Sequence, residues 1–137
     1  MTEVHKYSQW LDYANDDLKA AKELLKTDLH NIVCFHSQQA VEKALKAYLV
    51  FNNINPPKVH NLITLLELCI NLDKEFEILR DDMEFLDSYY IPTRYPSAPI
   101  GYLPGGKPNK DNATKAFEKA ENSVKYIIKL VEDKKKE

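Results

Sequence analysis

Three glycines and two cysteines in 137 residues restrict what this chain can be. All three glycines, Gly101, Gly105 and Gly106, lie between residues 92 and 111, so no glycine-rich phosphate loop can follow a strand elsewhere. Cys34 and Cys69 stand alone inside apolar helical patterns, with neither a C-x-x-C nor a nearby histidine pair to complete a zinc site. They read as buried small hydrophobes, reduced in a cytosolic chain. An excess of charge of one sign is missing too. Nineteen Lys and Arg against 21 Asp and Glu give a net charge of -2, so any attraction for a polyanion must come from a local patch. There is no run of eighteen apolar residues and no signal-type start, which leads to the expectation of a cytoplasmic protein with no membrane association. No serine or cysteine has a nucleophile context, and a metal on His36 and His60 would lack a third ligand. Neither cofactor nor metal is expected.

Helical periodicity is present almost everywhere. Trp10, Ala14, Leu18, Ala21 and Leu25 recur at spacings of three and four and predict a first helix over about 8–27, capped by Ser8. Asn31 is placed to cap a second, running to about Asn52. Asn61 is placed to cap a third, LITLLELCINL, and Asp73 a fourth, with Phe76, Leu79, Met83, Leu86 and Tyr90 on one face. A last helix after Asp111 or Asn112 carries the stripe Ala113, Phe117, Ala120, Val124, Ile127 and Val131. The chain thus reads as a single all-α domain over 1–137, an antiparallel up-and-down bundle of about five helices. Residues 92–111 hold five of the seven prolines and form a long Pro/Gly-rich loop before the last helix.

On a wheel of 100° per residue, the second helix is apolar apart from one narrow seam of Gln39, Glu42, Lys43 and Lys46. Glu42 with Lys46 and Gln39 with Lys43 are four apart and support the helix locally. Gln38 falls between Leu45 and Leu49 on the apolar side, where an unpaired amide costs about 1–3 kcal/mol, so it needs a partner in another helix, a second subunit or a ligand. The acidic neighbours Asp16 with Asp17 and Asp81 with Asp82 are expected to diverge and face water.

CFHSQQAVEKALKAYLV, then VHNLITLLELC after a proline-containing turn, then YYIPTRYPS after the fourth helix, resembles the HEPN domain over nearly the whole chain. The resemblance implies a helical bundle, frequently homodimeric. Many such proteins are encoded beside a minimal nucleotidyltransferase, and others are ribonucleases of toxin, defence and RNA-processing systems. The ribonuclease members use an arginine followed, after four to six residues, by a histidine. Here Arg80 is followed at those positions by Phe85, Leu86 and Asp87, and Arg94 by Pro99, Ile100 and Gly101, with no histidine beyond His60.

His36, Gln39, Lys43, Lys46, Arg94 and Tyr95 are therefore the candidates for nucleotide or RNA contact, and no catalytic residue is assigned. A guanidinium beside an aromatic ring can grip a phosphate and stack a base. Each also has a structural role open to it: Arg94 pinning the loop, Tyr95 filling the core, His36 hydrogen-bonded within the fold, His60 stabilising the turn before Asn61, Lys43 and Lys46 solvated. The expected function is that of a binding and interaction module, a homodimer associated with nucleotide or RNA and paired with a minimal nucleotidyltransferase in a toxin-antitoxin arrangement. The alternatives are a metal-independent endoribonuclease using His36, Arg94 and Lys43, and a structural dimerisation module without ligand.

Overall fold

The structure, a computed structural model, describes residues 3–89 and 107–137. Among them are five α-helices: α1 (Glu3–Leu24), α2 (His30–Phe51), α3 (Leu62–Leu72), α4 (Arg80–Asp87) and α5 (Lys110–Lys135), with a 3-10 turn at Lys74–Leu79 before α4. The all-α bundle of the sequence reading is what folds. Its centre is α2, whose Ala40, Val41, Ala44, Leu45, Tyr48 and Leu49 are fully buried beneath α1, α3 and α5.

Specific contacts fix how the helices run. Tyr7 meets Phe51 edge-on at 5.1 Å, and Asp17 meets Lys43, so α1 and α2 are antiparallel. Lys119 bonds Asp82 and Tyr126 reaches Glu75, so the 3-10 turn and α4 run against α5. Alongside α2, α3 runs in the same direction, since the His60 carbonyl meets Gln38, Cys69 meets the Leu45 carbonyl and Asp73 meets Tyr48. The connection after Phe51 makes this possible by running back along α2. It turns at Asn53, whose φ of 64° is the left-handed conformation that asparagine tolerates well.

Several helix starts differ from expectation. Ser8 lies inside α1, which begins at Glu3, and does not cap it. Asn31 lies inside α2, whose first residue follows Leu29 without a side-chain cap. Asn61 does cap α3, accepting from Thr64 N at 2.8 Å. Asp73 caps the 3-10 turn, accepting from Glu75 N at 3.0 Å. The tighter winding brings residues three apart into line, so Phe76 and Leu79 both point inward, and Met83 and Leu86 continue the stripe on α4. Tyr90 lies outside the described residues. The last helix starts at Lys110, slightly earlier than expected, behind an Asn109–Asn112 capping box, and its stripe from Ala113 to Val131 is buried as expected. Both cysteines are free and buried, and burial pushes each thiol up to about 12, which keeps them protonated and inert.

Candidate functional site

The polar side chains of α2 form two adjacent clusters, one met by α1 and the other by the turn before α3. In the first, the buried Asp17 carboxylate takes His36 Nδ1 on one oxygen at 2.8 Å and Lys43 Nζ on the other at 2.6 Å. In the second, the buried Glu42 takes Lys46 Nζ at 3.1 Å, and His60 Nδ1 lies 3.2 Å from its oxygens. Removing charges from water is costly, and these ions are stable only because each meets an opposite charge.

Gln38 finds its partners inside the chain. Its amide nitrogen donates to the His60 carbonyl at 2.8 Å, and its oxygen accepts from Gln39 at 2.9 Å. Close by, the Asp87 carboxylate accepts from Leu62 N at 2.8 Å and Ile63 N at 3.1 Å, the first free amides of α3. Burial nevertheless holds the Asp87 carboxyl above its ordinary value, outweighing the downward pull of the two amides. Gln38, Glu42, His60, Asn61 and Asp87 therefore clamp the turn that starts α3. This accounts for the glutamine and histidine signature without a ligand.

Aromatic rings border the seam. Lys43 lies 6.0 Å from the centre of Tyr13 and Lys46 lies 5.7 Å from Trp10, within cation–π reach. Tyr13 is 60% exposed, and with Trp10, Lys6 and Gln9 it lines a shallow depression on α1. His36, Gln39, Lys43 and Lys46 are thus brought together on one seam. They are not a solvated face opposite the core: Glu42 and Lys46 are buried, Lys46 beside Trp10 of α1 and Glu42 beside His60 of the turn before α3. Lys43 pairs with Asp17 and not with Gln39. Arg94 and Tyr95 lie outside the described residues. Arg80 is held by Glu67 and Glu77.

Asp17 is the correction of most consequence, since it was expected to face water with Asp16. It lies seven residues, two turns, after Trp10 and so shares its face, a placement the wheel applied to α2 would have found on α1. Trp10 and Tyr13 were also missed as seam residues, because Trp10 was counted with the core stripe.

The fold and seam define a compact all-helical module, and the comparisons give its family. The HEPN domain model matches residues 7–134, and the chain belongs to that family. It is 30% identical over 138 residues to the Methanocaldococcus jannaschii protein named "Putative toxin MJ1304", covering 94% of this chain and 91% of that one. The crystal structure of TT1696 from Thermus thermophilus superposes with a TM-score of 0.75 at 29% identity, covering 90% of this chain and 97% of the other. That of ST0689, an archaeal HEPN homologue, does so with a TM-score of 0.72 at 25% identity, covering 91% and 97%. Among the described residues no helix is long and apolar enough to cross a membrane.

Proposed function

We propose that this HEPN protein is a toxin-like binding module that associates with RNA or a nucleotide through the α1–α2 seam, acting as a homodimer in the cytoplasm beside a nucleotidyltransferase partner. The observation that carries the ligand class is the exposed Tyr13 ring with the Lys43 ammonium 6.0 Å from its centre, next to Trp10 and Lys46. An exposed aromatic with a cation within reach of its ring is a stacking platform for a base. The toxin-like setting is supported by the name of the archaeal relative. Fluorescence anisotropy with a short labelled single-stranded RNA tests the reading. Tyr13→Ala should weaken binding by about 1–3 kcal/mol, the scale of one base–aromatic stack, with the melting temperature unchanged. Equal affinity in the variant removes the seam from the binding surface.

One observation favours a second reading, a metal-independent endoribonuclease. Asp17 holds His36 through Nδ1, an arrangement that orients the other ring nitrogen for proton transfer. Cleavage of single-stranded RNA in the presence of a chelator, lost in His36→Ala, would place this reading first.

A further inference from the structure

The seam has a deficit as a polyanion site: Lys43 and Lys46 are each neutralised by a carboxylate of the same chain. Affinity for phosphate chains depends on cations whose charge is still available. Such cations occur on the other side of α1. Both α1 and α5 pack on α2 but touch each other only sparsely, which leaves a groove between them. On the α1 wheel the seam residues Trp10, Tyr13 and Asp17 and the groove residues Leu18, Lys19 and Lys22 flank the buried Ala14 and Ala21 from opposite sides. Lys19 and Lys22 rim the groove from α1 and Lys125 from α5, over a floor that includes Phe117 and Val124.

Among the described residues neither Lys19 nor Lys22 has a carboxylate within ion-pair distance. Lys125 has only Glu121, at 3.8 Å with the lysine side chain 71% exposed. Three ammonium groups against one carboxylate leave the rim net positive by two in a protein whose overall charge is negative. The floor offers no exposed ring for stacking, since Phe117 is buried. The groove therefore suits the phosphates of a ligand and not its bases.

We infer that the α1–α5 groove is a phosphate-chain track, with Lys19, Lys22 and Lys125 contacting successive phosphates of a bound polyanion. This rests on the RNA-associated reading for its ligand and adds where the charge of that ligand goes. The chemistry recognised is the phosphate chain, which a nucleic-acid backbone or an inorganic polyphosphate can supply.

The test measures binding of labelled single-stranded RNA, inorganic polyphosphate and inorganic phosphate to the full chain and to K19E/K22E/K125E. Three phosphate contacts give a salt slope of about −2 for a single strand, so wild-type affinity should fall roughly twentyfold between about 50 and 200 mM salt. The triple variant should bind at least about tenfold more weakly at low salt, with a flatter slope. Unchanged RNA binding in the variant overturns the track while leaving the RNA reading standing. Groove-dependent binding of polyphosphate without RNA binding keeps the track and removes the RNA reading, and binding of neither polyanion overturns both. Displacement of polyphosphate by an equal concentration of inorganic phosphate makes this a single-anion site and overturns the track. A thermal melt checks the fold, and if the charge reversals lower it, K19Q/K22Q/K125Q is judged by the same outcomes.

Discussion

Removing the Glu42 carboxylate leaves the Lys46 ammonium, whose side chain is 7% exposed, with no carboxylate and only the Trp10 ring beside it. Breaking a buried pair from one side costs far more than the pair contributes, so Glu42→Ala should destabilise the fold by about 3–5 kcal/mol in urea denaturation. The double change Glu42→Ala with Lys46→Met should recover part of that loss, and an additive pair of costs would refute the coupling. Asp87 gives the pH dependence. Its folded-state carboxyl is held above the ordinary value of 3.8, by burial first, with Glu42 adding to the effect. The native state thus binds this proton more tightly than the unfolded chain. The group's contribution is fully present below 3.8 and is lost as pH rises from there through the folded value. The stability of wild type relative to Asp87→Asn should therefore shrink as pH rises across that window, and a flat difference would count against the burial argument. At this scale the sequence was only partly legible. Gln38 announced that it needed a partner, because an amide sits badly on an apolar arc, but the wheel of one helix cannot say that the partner is the His60 carbonyl. Asp87 carried no local signal at all, since its partners are backbone amides 24 and 25 residues away.

For the helices, the apolar stripes were legible and the starts were not. Burial of Ala113, Phe117, Ala120, Val124, Ile127 and Val131 follows directly from their spacing. A cap is different, because asparagine, aspartate and serine are common and only some of them adopt the required extended backbone. At Asn61 and Asn109 the backbone is extended and the side chain receives an amide three residues on. At Asn31 the helix has already begun, and the chain turns into α2 through the Thr27 hydroxyl, which accepts from Leu29 N at 3.1 Å. Asn109→Ala should therefore cost about 1 kcal/mol, whereas Asn31→Ala should cost no more than a few tenths. Equal losses in thermal or urea unfolding would show that Asn109 contributes nothing as a cap. The direction of α3 was illegible for another reason: periodicity says which face of a helix is buried but not which way the helix runs, and the returning connection after Phe51 sets that.

For the whole molecule, association turns on the first half of α2. A homodimer needs apolar surface on the outer side of α2, where Phe35 and Val50 stand near its polar seam, and the structure separates the two. Val50 is buried inside the chain, at 2% exposure, so it offers nothing to a partner. Phe35 is only half-buried, and with the half-buried Ile32 and Leu29, 45% exposed, it forms an apolar edge at spacings of three on the same open side as His36 and Gln39. An isologous dimer would bring this edge against its own copy, covering apolar surface and setting the two seams next to each other. Sedimentation at micromolar concentration should then show a species of twice the 15.9 kDa chain mass. Phe35→Glu should convert it to the single chain, because a carboxylate at the centre of a two-fold contact meets both the apolar edge and its own symmetry mate. Ile78→Glu is the control, since Ile78 is 72% exposed on the 3-10 turn and outside this edge, and it should leave the assembly unchanged. A single 15.9 kDa species at every concentration would rule the dimer out, and dissociation by Ile78→Glu but not Phe35→Glu would move the interface to the 3-10 turn.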